Sequence, residues 1–243
     1  LIYISLVATF YALVTSLIGL KLGNNKLTIS SRNTVLLLSV FLLIATLILV
    51  ISFVNNDFAI RYVSEHSSLA MKPIYTWVAF YAGNEGSLLY VVVVFAVMCA
   101  IYNMSKSSKS LKGTNIILMS IMAFFVLILA TLANPFVENI FVPEDGRGIN
   151  PLLTHPGMFF HPPMLMAGLI GTAIPFAIVN GLLITKTNID KQIDVIRVWV
   201  IVVWAILAIG LLLGSWWAYT ILGWGGYWAW DPIENVALMP WLT

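Results

Sequence analysis

Residues 33–54 read NTVLLLSVFLLIATLILVISFV, an apolar stretch without one charged side chain. A helix needs roughly 20 such residues to cross the hydrocarbon core of a bilayer, so this stretch predicts a transmembrane helix. The composition of the whole chain agrees, because 60% of its 243 residues are hydrophobic and only 9% are charged. A soluble domain carries roughly 25% charged residues, so this balance indicates a polytopic membrane protein.

Six stretches in the chain are long and apolar enough to span a membrane. They cover residues 1–20, 33–54, 85–102, 115–133, 162–184 and 198–222. A seventh apolar stretch begins near Val236. The sequence therefore predicts an all-α polytopic membrane protein with six complete transmembrane helices and the start of a seventh. We expect a single membrane domain over residues 1–243 and a portion of a longer protein, because the chain starts without methionine and stops early in an apolar stretch.

Residues 69–83 are aromatic and carry a single lysine. Their pattern is typical of a helix that lies along a membrane surface instead of crossing it. We therefore predict an outer interfacial helix near residues 69–83.

Basic and acidic residues alternate from loop to loop. The loops after the first, third and fifth stretches hold nine of the twelve basic residues, Lys21, Lys26, Arg32, Lys106, Lys109, Lys112, Lys186, Lys191 and Arg197. Positively charged loops stay in the cytoplasm. Loops 55–84, 134–161 and 223–235 are therefore predicted to be extracytoplasmic, and all three histidines lie in them.

Eight of the nine tryptophans fall between Trp199 and Trp241, and the densest stretch reads WGGYWAWDP at residues 224–232. Large aromatic rings edged by indole N–H donors, with two glycines beside them, form a flat apolar surface that suits a planar amphipathic ligand. Porphyrin is the obvious candidate. The alternative is an aromatic belt at the membrane interface, although a belt spreads over all the helix ends. We call residues 223–235 the aromatic loop.

A porphyrin iron needs an axial ligand, and neutral imidazole is the common one. His161 precedes Pro162 and Pro163, and proline is favoured at the first position of a helix. His161 is therefore predicted at a helix start near the outer membrane edge, either as an iron ligand or as a polar residue that ends a loop. We interpret His155 as a turn residue and His66 as an exposed loop residue.

Asp231 and Glu85 each have a structural interpretation beside a functional one. Asp231, Pro232 and Glu234 match a helix N-cap with proline at the first position and glutamate at the third. Alternatively, Asp231 fixes the aromatic loop or lies near a haem edge. Glu85 stabilises the first turn of the third helix through the helix dipole, or has a polar role near a ligand. The single cysteine, Cys99, is interpreted as a buried structural thiol.

The sequence contains no zinc-ligand spacing, serine triad, phosphate-binding loop or paired carboxylate motif. Its basic residues form no cluster of the kind that binds nucleic acid. Hydrolase, nucleotide and nucleic-acid chemistry are therefore not expected.

The aromatic loop resembles the tryptophan-rich "WWD" signature of haem-handling proteins in cytochrome c maturation. The ending DPIEN at residues 231–235, followed by MPWL at 239–242, is more similar to the CcmF family, which includes NrfE, than to CcmC or CcsA. Further similar segments occur in the same order along the chain, at residues 55–58, 62–63, 85–89, 134–136, 150–153 and 161–163.

The resemblance implies a haem lyase component that holds haem b as its substrate for covalent attachment to the Cys-x-x-Cys-His motif of apocytochrome c. It implies partners similar to the haem chaperone CcmE and to the apocytochrome-handling proteins CcmH and CcmI. It also implies a bacterial or mitochondrial inner membrane, with the aromatic loop on the periplasmic or intermembrane-space side. Family proteins are far longer, so this chain alone is expected to be inactive.

The same resemblance implies roles for individual residues. His161 is expected to be one axial ligand of the haem iron, whereas the second ligand and the histidines of a membrane haem b are expected beyond Thr243. Asn84 stands where family members commonly carry histidine. Asp231 is expected to orient the loop, and no residue is expected to act as a covalent catalyst. The residues expected to stack on or bracket the macrocycle are Trp224, Tyr227, Trp228 and Trp230.

Two other functions remain open. The protein could be a haem carrier or relay that resembles CcmC or CcsA and lacks attachment chemistry. It could also be a structural membrane subunit whose aromatic residues only pack. Haem absorbance of the purified protein separates the structural role from the other two.

Overall fold

The computed structural model describes residues 1–105, 108–223 and 226–243, and regular structure in this part of the chain is helical. The helices are α1 Ile2–Lys21, α2 Asn25–Val54, α3 Arg61–His66, α4 Thr76–Phe80, α5 Asn84–Met104, α6 Ser108–Thr131, α7 His161–Gly171, α8 Ala173–Thr185, α9 Ile193–Trp217 and α10 Pro232–Leu242. Single 3₁₀ turns cover Pro73–Tyr75, Pro151–Leu153, Pro156–Phe159 and Ile189–Lys191, and a π-helical turn covers Ala218–Leu222. Among the described residues the only β-pairing is an isolated bridge between Ile60 and Glu138.

Within the described ranges, six helical segments are long and apolar enough to cross a membrane. They are Ile2–Lys21, Asn25–Val54, Asn84–Met104, Lys112–Thr131, Pro156–Thr185 and Ile193–Leu222. The predicted fold class, an all-α polytopic membrane protein, is therefore confirmed, and each segment overlaps one predicted stretch.

Helix α2 begins at Asn25, eight residues before the predicted start at 33. Its first turns are polar, so hydropathy alone did not reveal them. Their hydroxyl groups bind α1 instead of water, because Ser31 Oγ lies 2.6 Å from Ser16 Oγ and donates to the Ala12 carbonyl at 3.0 Å. Asn24 accepts the Lys26 N–H at 2.9 Å just before the helix. Paired serines therefore extend this helix beyond its apolar part.

The fifth predicted stretch forms two helices, α7 and α8, separated at Thr172. Pro175 explains the break. A proline lacks the N–H that would bond to the carbonyl four residues earlier, here Gly171, and its ring clashes with that carbonyl.

The segment predicted as an interfacial helix near 69–83 is shorter in the structure, with the 3₁₀ turn Pro73–Tyr75 followed by the five-residue α4. Tyr62 explains why α4 ends early, because it takes up the backbone groups that would extend the helix. Its hydroxyl donates to the Phe80 carbonyl at 3.0 Å and accepts the Gly83 N–H at 3.0 Å. Burial raises the pKa of the Tyr62 hydroxyl, so it remains a donor.

The described residues divide into two compact units. The first comprises Leu1–Ala45, Val92–Leu132 and Ile170–Val203. Within it, α6 packs against α1 and α8, and Asn103 and Asn115 exchange two side-chain hydrogen bonds of 2.8 and 3.1 Å. The second unit comprises Thr46–Val91, Ala133–Leu169 and Trp204–Thr243, and it contains all three histidines and the aromatic loop. The expected single domain over 1–243 stays a prediction.

Candidate functional site

The aromatic loop connects the π-helical turn after α9 to α10, and its described side chains point in different directions. Trp224 lies outside the described residues. Trp228 packs inward on an apolar cluster formed by Leu165, Leu207, Leu211 and Ala237. Tyr227 and Trp230 are 60% and 71% exposed. The loop therefore combines one inward indole with two outward rings.

The backbone of the loop is held in an uncommon conformation at Trp230. Its φ of 56° lies in the left-handed region, which is unfavourable for a bulky side chain. Asn235 supports this conformation, because its Nδ2–H donates to the Trp230 carbonyl at 2.9 Å. Asp231 then starts α10, since its Oδ1 accepts the Glu234 N–H at 3.1 Å. The predicted N-cap is thus confirmed.

His161 is the first residue of α7, as predicted, and it is only 7% exposed. Its Nδ1 lies 2.8 Å from the Gly210 carbonyl oxygen. A carbonyl only accepts hydrogen bonds, so this contact places the ring proton on Nδ1 and leaves the lone pair on Nε2. The indole of Trp217 lies parallel to the imidazole, with ring centres 6.3 Å apart. The ring is therefore fixed in tautomer and orientation.

Glu234 faces the lone pair of His161, with Oε1 3.5 Å from Nε2. Burial, with a smaller contribution from the charge of Asp231, raises the pKa of the Glu234 carboxyl to about 7. Its Oε2 is buried and has no hydrogen-bond partner among the described residues. Sequence reasoning assigned Glu234 only to the helix start. Its position three residues after Asp231 was the available signal, but a capping box explained that spacing completely.

A cavity of about 30 Å³ lies beside these groups. Its walls are formed by Gly214, Ser215, Trp217, Ala218, Tyr227, Trp228, Ala229, Asp231 and Glu234. His161 lies directly behind this wall, because a Cβ added at Gly214 would stand 2.7 Å from His161 Nδ1 and 3.1 Å from Glu234 Oε1. The imidazole does not line the cavity itself, but it contacts two residues that do, Gly214 and Glu234.

The donor set suits a haem iron, but the cavity is small. Its volume of about 30 Å³ has room for about one water molecule, whereas pockets for organic ligands measure roughly 300–1,000 Å³. Trp228 Nε1 is buried and has no acceptor among the described residues.

His155 and His66 are already engaged in other contacts. His155 begins the turn Pro156–Phe159, where its Nδ1 accepts the Gly157 N–H at 3.0 Å and its Nε2 lies 3.3 Å from Thr220 Oγ1. It is a turn residue, as interpreted. His66 is half-buried rather than exposed, because its ring packs on Tyr62 with centres 4.4 Å apart. Its Nδ1–H donates to the Tyr62 carbonyl at 2.9 Å.

Six apolar membrane-length helices in the described part of the chain, with a tryptophan-rich loop beside a buried imidazole, define the class, a polytopic membrane protein. The sequence model of the cytochrome C assembly protein family matches residues 81–243. The chain belongs to this family, and the recognition of a CcmF-type protein is confirmed.

Relatives with known names agree with the family assignment. The chain is 36% identical over 231 residues to the cytochrome c-type biogenesis protein CcmF of Escherichia coli. The aligned region covers 93% of this chain and 35% of that protein. It is 36% identical over 209 residues to the cytochrome c-type biogenesis protein NrfE of Haemophilus influenzae, and the aligned region covers 84% of this chain and 33% of that protein. A solved structure of "Cytochrome c Heme Lyase CcmF" matches with a TM-score of 0.85 and 27% identity over 99% of this chain and 39% of that one. The chain thus spans about a third of the length of its curated relatives.

Proposed function

We propose that this chain is the haem-presenting portion of a cytochrome c haem lyase. It holds haem b as a substrate on the extracytoplasmic face and presents it for attachment to the Cys-x-x-Cys-His motif of apocytochrome c. The family assignment and the 0.85 TM-score to a haem lyase support this function. The distribution of basic residues supports the side of the membrane, with the loop in the periplasm or intermembrane space.

His161 supplies an axial ligand to the haem iron through Nε2. The hydrogen bond from Nδ1–H to the Gly210 carbonyl is the single observation that carries this role. A metal-bound histidine usually donates its other ring N–H to a carbonyl or carboxylate, which orients the ring and increases its basicity. Glu234 stands at the coordinating nitrogen, 3.5 Å away, so its carboxyl moves aside when iron approaches.

The aromatic loop positions the macrocycle. Trp230 offers an exposed ring for stacking, and Tyr227 offers the face that is not stacked on Tyr219. The buried Nε1–H of Trp228 offers a hydrogen bond to a polar group of the ligand. Trp224 completes the bracket in this proposal. Asp231 and Asn235 orient the loop by capping α10 and by holding the Trp230 carbonyl.

The chemistry of attachment comes from the haem and the incoming thiols, and this chain contributes position. Each cysteine thiol adds across a haem vinyl group, so that a C–S bond forms and the thiol hydrogen passes to the vinyl carbon, with no leaving group. A chaperone similar to CcmE delivers the haem, and proteins similar to CcmH and CcmI bring the apocytochrome. The membrane is the bacterial or mitochondrial inner membrane.

The experiment is haem attachment to apocytochrome c by the full-length protein carrying His161→Ala. We expect attachment to fall at least about 100-fold, within the range that loss of positioning costs. The double change Trp228→Ala and Trp230→Ala should also reduce it. His155→Asn is the matched control, because asparagine retains the acceptor that starts the turn. Unchanged attachment by both site variants would contradict the proposal.

A purely structural role is the competing function, and the small cavity favours it. In that case Glu234 and Gly210 would simply satisfy a buried histidine. Haem absorbance of the full-length protein distinguishes the two, because a structural subunit gives no haem band that changes with His161→Ala.

A further inference from the structure

The loop between α6 and the turn Pro151–Leu153 exposes three consecutive apolar side chains. Ile140, Phe141 and Val142 are 92%, 88% and 62% exposed. We call residues 140–142 the apolar tip. Single exposed apolar residues are ordinary on protein surfaces, but a contiguous group marks an interaction site.

The chain on the amino-terminal side of the apolar tip is firmly anchored. Asn139 donates its backbone N–H to the Ala59 carbonyl at 2.7 Å. Its Nδ2 donates to the Phe58 carbonyl at 2.8 Å and to Ser64 Oγ at 2.9 Å. The residue next to the tip is therefore fixed to the start of α3 and the turn before it.

The chain on the carboxyl-terminal side is anchored to α3 and to the residues just after it. Asp145 Oδ1 accepts the backbone N–H of Leu69 at 2.8 Å. The N–H of Arg147 donates to the Ser64 carbonyl at 2.8 Å, and that of Gly148 donates to the Ser67 carbonyl at 3.0 Å. A side chain at Gly146 would collide with the Ser67 carbonyl, so the two segments are in close contact. The tip is thus displayed from a fixed frame, which lowers the entropy lost on binding.

Carboxylates outnumber basic residues near the tip, where Arg61 also lies because its N–H donates to the Val137 carbonyl. Glu138, Glu144 and Asp145 are exposed beside it, and Arg147 is the one basic residue of the segment 134–150. Segments that insert into lipid are typically flanked by lysine, arginine, tryptophan or tyrosine, and this tip is flanked mainly by carboxylates. The charges therefore favour a protein with basic residues over a membrane surface. A small apolar centre with a charged rim is typical of transient interfaces, whereas obligate ones are larger and more apolar.

We propose that the apolar tip is a docking element for a separate protein whose contact surface is an apolar cleft rimmed by lysine or arginine. Phe141 and Ile140 enter the cleft, and Glu138 and Glu144 pair with the basic rim. The inference is independent of haem binding by His161.

Photocrosslinking in native membranes tests this inference. A benzoylphenylalanine replaces Phe141 in the full-length protein, and the crosslinked peptide is identified by mass spectrometry. We expect an adduct with a segment of another protein that carries several lysines or arginines beside apolar residues. Adducts only with lipid, only with another segment of the same full-length protein, or with nothing would overturn the proposal.

Charge reversal provides the second arm. Glu138→Lys with Glu144→Lys should reduce the adduct at least about tenfold, whereas Glu138→Gln with Glu144→Gln should reduce it less. Equal adduct yields in the protein with both glutamates, the lysine variant and the glutamine variant would contradict charge pairing and, with it, the assigned partner. Ile74→Ser is the control, because Ile74 is 64% exposed and lies outside the tip. Its adduct yield and haem absorbance should remain normal, and haem absorbance of the charge-reversed protein distinguishes failure at the tip from failure of the haem site.

Discussion

At the scale of single residues, the proposed function depends on the orientation of the His161 imidazole. The Gly210 carbonyl fixes the proton of His161 on Nδ1, and Glu234 stands opposite the unprotonated nitrogen. A buried donor or acceptor left unpaired is costly. Only the protonated Glu234 carboxyl can donate to that nitrogen, and burial favours the protonated form by raising its pKa. In the proposed complex the carboxyl gives way to iron.

Gly214→Ala should disturb this arrangement. The added Cβ would stand 2.7 Å from His161 Nδ1, so the imidazole must shift away from the Gly210 carbonyl. We expect a loss of about 1–3 kcal/mol of stability from overpacking and weaker haem binding, measured by titrating haem into the purified full-length protein. Gly19→Ala is the control, because the atoms nearest its added Cβ belong to Leu27 and Thr28 of the first unit, at 3.2 Å and above. Equal haem affinity of the two variants would show that the ring position does not matter.

Glu234 should make stability depend on pH. Its carboxyl has a pKa of about 7 in the folded protein, raised from 4.5 by burial and by Asp231. Between pH 4.5 and pH 7 the folded protein therefore holds a proton that the unfolded chain has released. The stability that this proton gives the fold is fully present below pH 4.5 and is lost as the pH rises through 7. Glu234→Gln should remove this part of the pH dependence, leaving a smaller drop in Tm between pH 5 and pH 8 than in the wild type.

The control for that measurement is Glu138→Gln, which removes an exposed carboxyl outside the candidate site. It should leave the pH dependence of Tm as in the wild type. If Glu234→Gln also leaves it unchanged, the carboxyl does not hold its proton in the folded protein.

At the scale of elements, the site is assembled from helix ends. His161 starts α7, Gly214 lies in the last turn of α9, and Asp231 caps α10. Helix ends carry unsatisfied backbone groups and lie where the chain turns. They bring the imidazole into contact with a close-approach glycine and a carboxyl group without any long-range motif in the sequence.

Substitutions at Asp231 test whether capping of α10 is the only role of this residue. Asp231→Ala should destabilise the protein by about 0.5–2 kcal/mol, since Glu234 N–H loses its acceptor. Asp231→Asn retains an acceptor oxygen and should keep most of that stability. If haem attachment also survives Asp231→Asn, capping explains the residue, whereas selective loss of attachment would assign the carboxylate a further role at the haem.

At the scale of the whole molecule, the sequence determined the spanning helices because uninterrupted apolar stretches have few alternatives in a membrane. It also predicted the cap at Asp231 and the helix start at His161, since proline and aspartate act locally. It did not predict the early start of α2, where Ser16 and Ser31 pair with each other. Nor did it predict the Glu234–His161 contact or the inward position of Trp228. These depend on which helix faces meet, and hydropathy carries no such information.

Ligation of haem iron by His161 is the central claim, and imidazole rescue tests it most directly. His161→Gly in the full-length protein opens a space where free imidazole can replace the missing ligand. We expect the variant to lose both haem attachment and the absorption bands of the substrate haem. Added imidazole should restore the bands. Bands and attachment that remain at wild-type levels in His161→Gly without imidazole would contradict it.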